Sequence, residues 1–109
     1  MTNEEVRLQR LIQGILVRNY VDTSKLELQV IGHSVYIEGE FKVFDYHLSH
    51  KKEGSQVEHD FSVRRVILHI EQQIRGMAEI SFLEMKLSNW QRQGNQWVGR
   101  HGGQPQQEQ

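Results

Sequence analysis

There is no cysteine among the 109 residues. That excludes disulfides, thiol catalysis and Cys-ligated zinc or iron–sulfur sites. No apolar run approaches the ~20 residues that a helix needs to cross a bilayer. The N-terminal stretch Met1-Thr-Asn-Glu-Glu-Val-Arg-Leu8 lacks a basic region followed by an apolar core, so it does not read as a signal peptide. An excess of one charge is missing too. The formal net charge is -1, which gives no global attraction to nucleic acid or to anionic lipid. Six histidines would carry the chain positive only in mildly acidic conditions. What is present, 37% hydrophobic and 25% charged residues, suits one domain with a modest core and a tail.

Periodicity divides the chain. Thr2-Asn-Glu-Glu5 fits a capping box, and Leu8, Leu11, Ile12, Ile15 and Leu16 then recur at helical spacing, predicting a helix over Asn3–Asn19. Gly14 inside it costs roughly 1 kcal/mol against alanine. Leu26, Leu28 and Val30 alternate with polar residues, Gly32-His33 supplies a turn, and Val35, Ile37, Gly39, Phe41 and Val43 alternate again. This predicts a hairpin with one buried face. Residues 44–60 break the pattern and read as an exposed polar excursion. Ser62 is the expected cap of a second helix, with Phe61 and Val66 as a hydrophobic staple. Val63, Val66, Ile67, Ile70, Ile74 and Met77 form its stripe, and Gly76 is placed to end it in the left-handed conformation. Leu83, Met85 and Leu87 alternate in a third strand. Ile80 and Phe82, on the opposite parity, imply that both faces are covered near its start. Gly94-Asn95, between Trp90 and Trp97, has the composition of a weak hairpin turn, and the residues from Gly99 onward cannot bury anything. The expected fold is α+β, in the order αββαβ, with a three-stranded mixed sheet carrying both helices on one face. The expected domain is 1–90, with 44–60 as a polar loop insertion and 91–109 as a Gln/Gly-rich, mostly disordered tail.

The hairpin Gly32-His-Ser-Val-Tyr-Ile-Glu-Gly-Glu-Phe41 and the helix end Ile70-Glu-Gln-Gln-Ile-Arg-Gly-Met-Ala-Glu-Ile80 resemble the corresponding parts of the BON domain (the bacterial osmotic-shock and nodulation domain family). The likeness spans about Glu5 to Leu87 and rests on structural motifs. It implies a non-enzymatic module of bacterial envelopes that contacts membrane phospholipid or associates with proteins. It also implies a topology shared with the ring-building modules of secretion systems. As written the chain is expected to be cytoplasmic, and the resemblance admits the periplasm if a leader has been removed.

No nucleophile or paired carboxylates stand on a predicted scaffold, since Asp45, Glu53, Glu58 and Asp60 all fall in the excursion, so no catalytic residue is assigned. His47 and His50, three residues apart, with His59 as a third, are the candidate ligands of a metal or small-ligand site. Chance polar residues in an exposed loop give the same spacing, and no metal or cofactor is assigned. Lys51, Lys52, Arg64 and Arg65 form a candidate basic patch at the start of the second helix, against which stands a solvated charge cluster. A Gly-x-x-Gly backbone clamp is missing, so no nucleic-acid partner is expected. The candidate interaction surface is the sheet face opposite the helices, with Ile31, Tyr36, Glu38 and Phe82. Trp90 and Trp97 either extend it as an exposed ledge or cap the core. The expected function is a non-catalytic module that self-associates as a homo-oligomer or docks on a protein assembly. A membrane-surface binder and a histidine-loop ligand site are the alternatives.

Overall fold

The computed structural model describes residues 2–44 and 56–100, and of 56–60 the backbone alone. Its first helix, α1 (Asn3–Arg18), starts on the expected capping box: the Thr2 side chain accepts from the Glu5 amide, and Glu5 reaches back to the Thr2 amide. Leu8, Ile12, Ile15 and Leu16 make its buried stripe. Tyr20, at φ 64, turns the chain away. A short 3-10 turn over Thr23–Lys25 follows, capped by the Asp22 carboxylate on the Ser24 amide at 3.1 Å.

Strands β1 (Leu26–Ile31) and β2 (Ser34–Gly39) pair antiparallel around Gly32, whose φ of 62 the tight turn requires. Strand β3 (Phe82–Leu87) lies parallel to β2, giving the order β1-β2-β3. The fold is therefore α+β with a three-stranded mixed sheet, as the periodicity implied. Val30, Val35, Ile37, Leu83 and Leu87 share the buried face with the stripes of both helices.

Four features differ from expectation. The second strand does not run on to Val43. It ends at Gly39, and the chain beyond pairs instead with the segment after α1: Glu40 donates to Lys25, Asp22 to Lys42 and Phe44 to Tyr20 through the backbone. Alternation survives the break, so Phe41 and Val43 are still buried. The Asn89 side chain completes the pairing, accepting from the Phe41 amide and donating to its carbonyl, each at 2.9 Å.

Second, helix α2 (Gln56–Arg75) begins six residues before Ser62. Ser62 is inside the helix and is not its cap, and Phe61 is 53% exposed on its surface rather than stapled. The stripe itself is as expected, with Val63, Ile67, Ile70 and Ile74 buried. The expected polar insertion thus ends by Gln56, and the rest of it lies outside the described residues.

Third, Gly76 does not adopt positive φ. The helix ends with the Gly76 amide on Gln72 and the Met77 amide on Ile74, a closing turn that needs no left-handed residue.

Last, the hairpin expected around Gly94-Asn95 is present, as antiparallel strands β4 (Trp90–Gln93) and β5 (Gln96–Gly99) with Gly94 at φ 63, but it is not part of a tail. Trp90 and Trp97 are buried at 5% and 3% exposure, so this segment, expected to be tail, closes the core over α2. The expected disordered stretch beyond Arg100 lies outside the described residues.

Candidate functional site

Strand alternation sends one set of side chains into the core and the other to the open face. With both helices on the core side, the open face carries three cross-strand rows. Ile31, Ser34 and Phe82 form the first; Gln29, Tyr36 and Glu84 the second; Glu27, Glu38 and Lys86 the third. The first row is the apolar end. Ile31 is 54% and Phe82 48% exposed. The Tyr36 and Phe82 rings lie 5.9 Å apart, tilted at 55°, within the range of a favourable edge contact. The opposite parity of Phe82 does not mean that both faces are covered, as its position had implied. Ile80 precedes the strand and packs half-buried on the core, while Phe82 points out.

Towards the other end the face is acidic. Glu27 and Glu38 are exposed, and Glu84 pairs with Lys86 at 3.8 Å. Between this end of the sheet and the β4–β5 hairpin lies an open groove of about 670 Å³, lined by Lys25, Lys86, Arg92 and Arg100 and by Glu27 and Glu38. Both signs of charge line it, and Arg92 is held by Glu71.

Of the expected surface, Ile31, Tyr36, Glu38 and Phe82 do come together. Trp90 and Trp97 do not join them, because both belong to the core. The expected basic patch also changes. Lys51 and Lys52 lie outside the described residues, and Arg64 and Arg65 sit well inside α2, away from its first amides. Arg65 lies over the Phe61 ring at 5.9 Å. His47 and His50, and the side chain of His59, lie outside the described residues. Among the described residues, no three His, Asp or Glu side chains gather as a metal site. No described helix is long and apolar enough to cross a membrane. His33, at the hairpin turn, is exposed, and its Nδ1 lies 2.7 Å from the Glu79 carbonyl, tying the turn to the loop before β3.

The residue that periodicity missed is Glu71. It is the one charged residue among the buried side chains described, at 4% exposure. Its carboxylate accepts from the Trp97 indole at 3.2 Å, from Arg92 and, at 3.3 Å, from Arg75. Arg92 also stacks 5.5 Å from the Trp97 ring centre. This buried acid is a fastening for the C-terminal hairpin, since both of its oxygens accept from protein donors, Oε1 from Trp97 and Oε2 from the two arginines. A Trp-and-Arg hairpin downstream of a helix was the only signal for it.

No family model matches the chain, and neither a curated protein nor a solved structure matches it.

Proposed function

We propose that this protein is a non-catalytic interaction module that self-associates through the open face of its sheet. The observation that carries the reading is the exposed apolar row itself. Ile31 and Phe82 stand at about half exposure beside Tyr36, on a face that neither helix covers. Large apolar groups clustered on an open surface tend to mark contact sites, and aromatic residues are enriched at the centre of such contacts. The likeness to BON domains, which implies association rather than catalysis, points the same way. The sheet also has two edges, β1 and β3, next to that row.

The test is light scattering across a concentration series for the wild-type chain and for Phe82→Lys. The wild-type mass should rise with concentration, and the variant should stay at one chain. A wild-type chain that remains a strict monomer at high concentration overturns the reading.

A further inference from the structure

The two outer faces of the molecule differ in charge. The sheet face is acidic beyond its apolar row, towards its other end: Glu27, Glu38 and Glu84 against the single ammonium of Lys86. On the far side of the molecule, the outer face of α2 from Phe61 to Arg75, beyond the acidic Glu58 and Asp60 of its first turns, has the opposite character. Phe61, Arg65, Leu68, Gln72 and Arg75 follow one another at spacings of three and four, so they share one stripe of the helix. Phe61 is 53% and Leu68 37% exposed, and Arg64 flanks them. From Phe61 to Arg75 the only acidic residue is Glu71, which is buried beneath Arg75 and Arg92. Each face thus offers exposed apolar side chains with charges of one prevailing sign, and the signs are opposite.

We propose that copies of this chain associate head to tail, the acidic sheet face of one seated on the basic outer face of α2 of the next. The inference rests on the self-association proposed above. Pairing sheet face with sheet face sets carboxylates against carboxylates, and pairing α2 with α2 sets guanidinium against guanidinium. Only the mixed contact puts opposite charge across the interface while covering both apolar groups. Such a contact is heterologous, because each added copy leaves one sheet face and one helix face free. Growth continues past the dimer, to a ring if the rotation between copies closes and to a filament if it does not. The assembly should weaken as salt screens the charges.

The experiment uses two full-length variants, each disabled on one face at exposed positions. Ile31→Thr/Phe82→Thr removes the apolar row while keeping strand-compatible residues. Arg65→Glu/Leu68→Glu reverses the helix face. Circular dichroism melts confirm that each stays folded, and light scattering reads the mass of each alone and of the equimolar mixture. Each variant alone should be a monomer, and the mixture should give a species of two chains, because the intact helix face of the first fits the intact sheet face of the second. Three results overturn head-to-tail contact while leaving self-association through the sheet standing or falling on its own. If the helix variant associates like the wild type while the sheet variant is monomeric, the pairing is sheet to sheet and the proposed function survives. If both variants and their mixture are monomeric, the two faces do not meet. If the sheet variant associates like the wild type, or the wild type is itself a monomer, the sheet-face reading fails as well.

Discussion

The indole nitrogen of Trp97 donates to the Glu71 carboxylate at 3.2 Å, joining the last hairpin to the middle of α2. The two residues explain each other. A tryptophan buried to 3% exposure needs an acceptor for its N–H, and a carboxylate buried to 4% needs several donors. Arg92 supplies the charge from the same hairpin, and Arg75 adds a longer contact from the next turn of the helix. The cost of desolvating the acid is thus offset locally, at the point where the hairpin closes.

Removing that carboxylate should loosen the hairpin. Glu71→Ala leaves the buried indole N–H without its acceptor, which costs about 1–3 kcal/mol. The two guanidiniums add less, because their side chains are 54% and 39% exposed and water can reach them. Arg75→Ala should cost under about 1 kcal/mol, as for a partly exposed ion pair. Urea titrations of the two variants decide the matter. Equal losses would mean that the acid does not fasten the hairpin.

The phase of α2 makes a second comparison. Ile70 has no exposed surface, while Leu68 is 37% exposed on the opposite side. Truncation at Ile70 leaves a cavity between the helix and the sheet, so Ile70→Ala should cost ~2–5 kcal/mol. Leu68→Ala leaves no cavity and should cost clearly less. The difference in denaturant midpoint between the two is the measured quantity, and a similar midpoint for both would contradict the burial of Ile70.

These elements show what was legible. The stripe containing Ile67, Ile70 and Ile74 is a property of one helix, and the alternation from Leu26 to Ile37 is a property of one hairpin, so each can be read locally. The open face follows from the same alternation, which is why Ile31, Tyr36 and Phe82 were found together. The start of α2 was not legible, because Ser62 after Phe61 has the composition of a cap and its rejection depends on helix continuing upstream to Gln56. Trp90 and Trp97 were ambiguous for a related reason. Whether a short hairpin is core or ledge depends on what it lies against, and the acid that holds it is encoded 26 residues before Trp97. The Asn89 side chain, which stands in as a strand partner for Phe41, has no periodic signal at all.

Gly39 should tolerate substitution worse than Gly32. At Gly39, φ is 130 and an added Cβ would run into the Lys25 carbonyl oxygen, with the Leu26 Cα 3.1 Å away. Both obstacles are backbone, of the last residue of the 3-10 turn and of the first residue of β1, and cannot swing aside. Gly39→Ala should therefore lose about 1–3 kcal/mol from backbone strain alone, with the clash in addition. At Gly32 φ is 62 and the space is open, so Gly32→Asn, which accepts that conformation, should melt close to the wild type. Thermal melts of the two variants check this, and a Gly39→Ala protein as stable as the wild type would show that the β1–β2 end can shift.

Stability should fall in acid, and Glu5 should account for part of the fall. Its carboxylate accepts from the Gly32 amide at 2.6 Å and from the Thr2 amide at 2.8 Å, so it ties the start of α1 to the β1–β2 turn. The Gly32 amide first, and then that of Thr2, hold its carboxyl below the ordinary value of 4.5. A folded value below the unfolded one means that the contribution is fully present above the ordinary value. It is lost as pH falls through the folded value, where the folded state must take up the proton. Asp22, lowered by the Ser24 hydroxyl and amide, and Glu4, lowered by Arg7, shift in the same direction. Glu5→Gln should therefore melt lower than the wild type at neutral pH, and its melting temperature should decline less steeply below the ordinary carboxylate range, with Asp22 and Glu4 supplying the slope that remains. Melting curves at a series of pH values compare the two proteins directly. Parallel declines for the wild type and Glu5→Gln would show that the Glu5 link to Gly32 contributes nothing to the acid sensitivity of the fold.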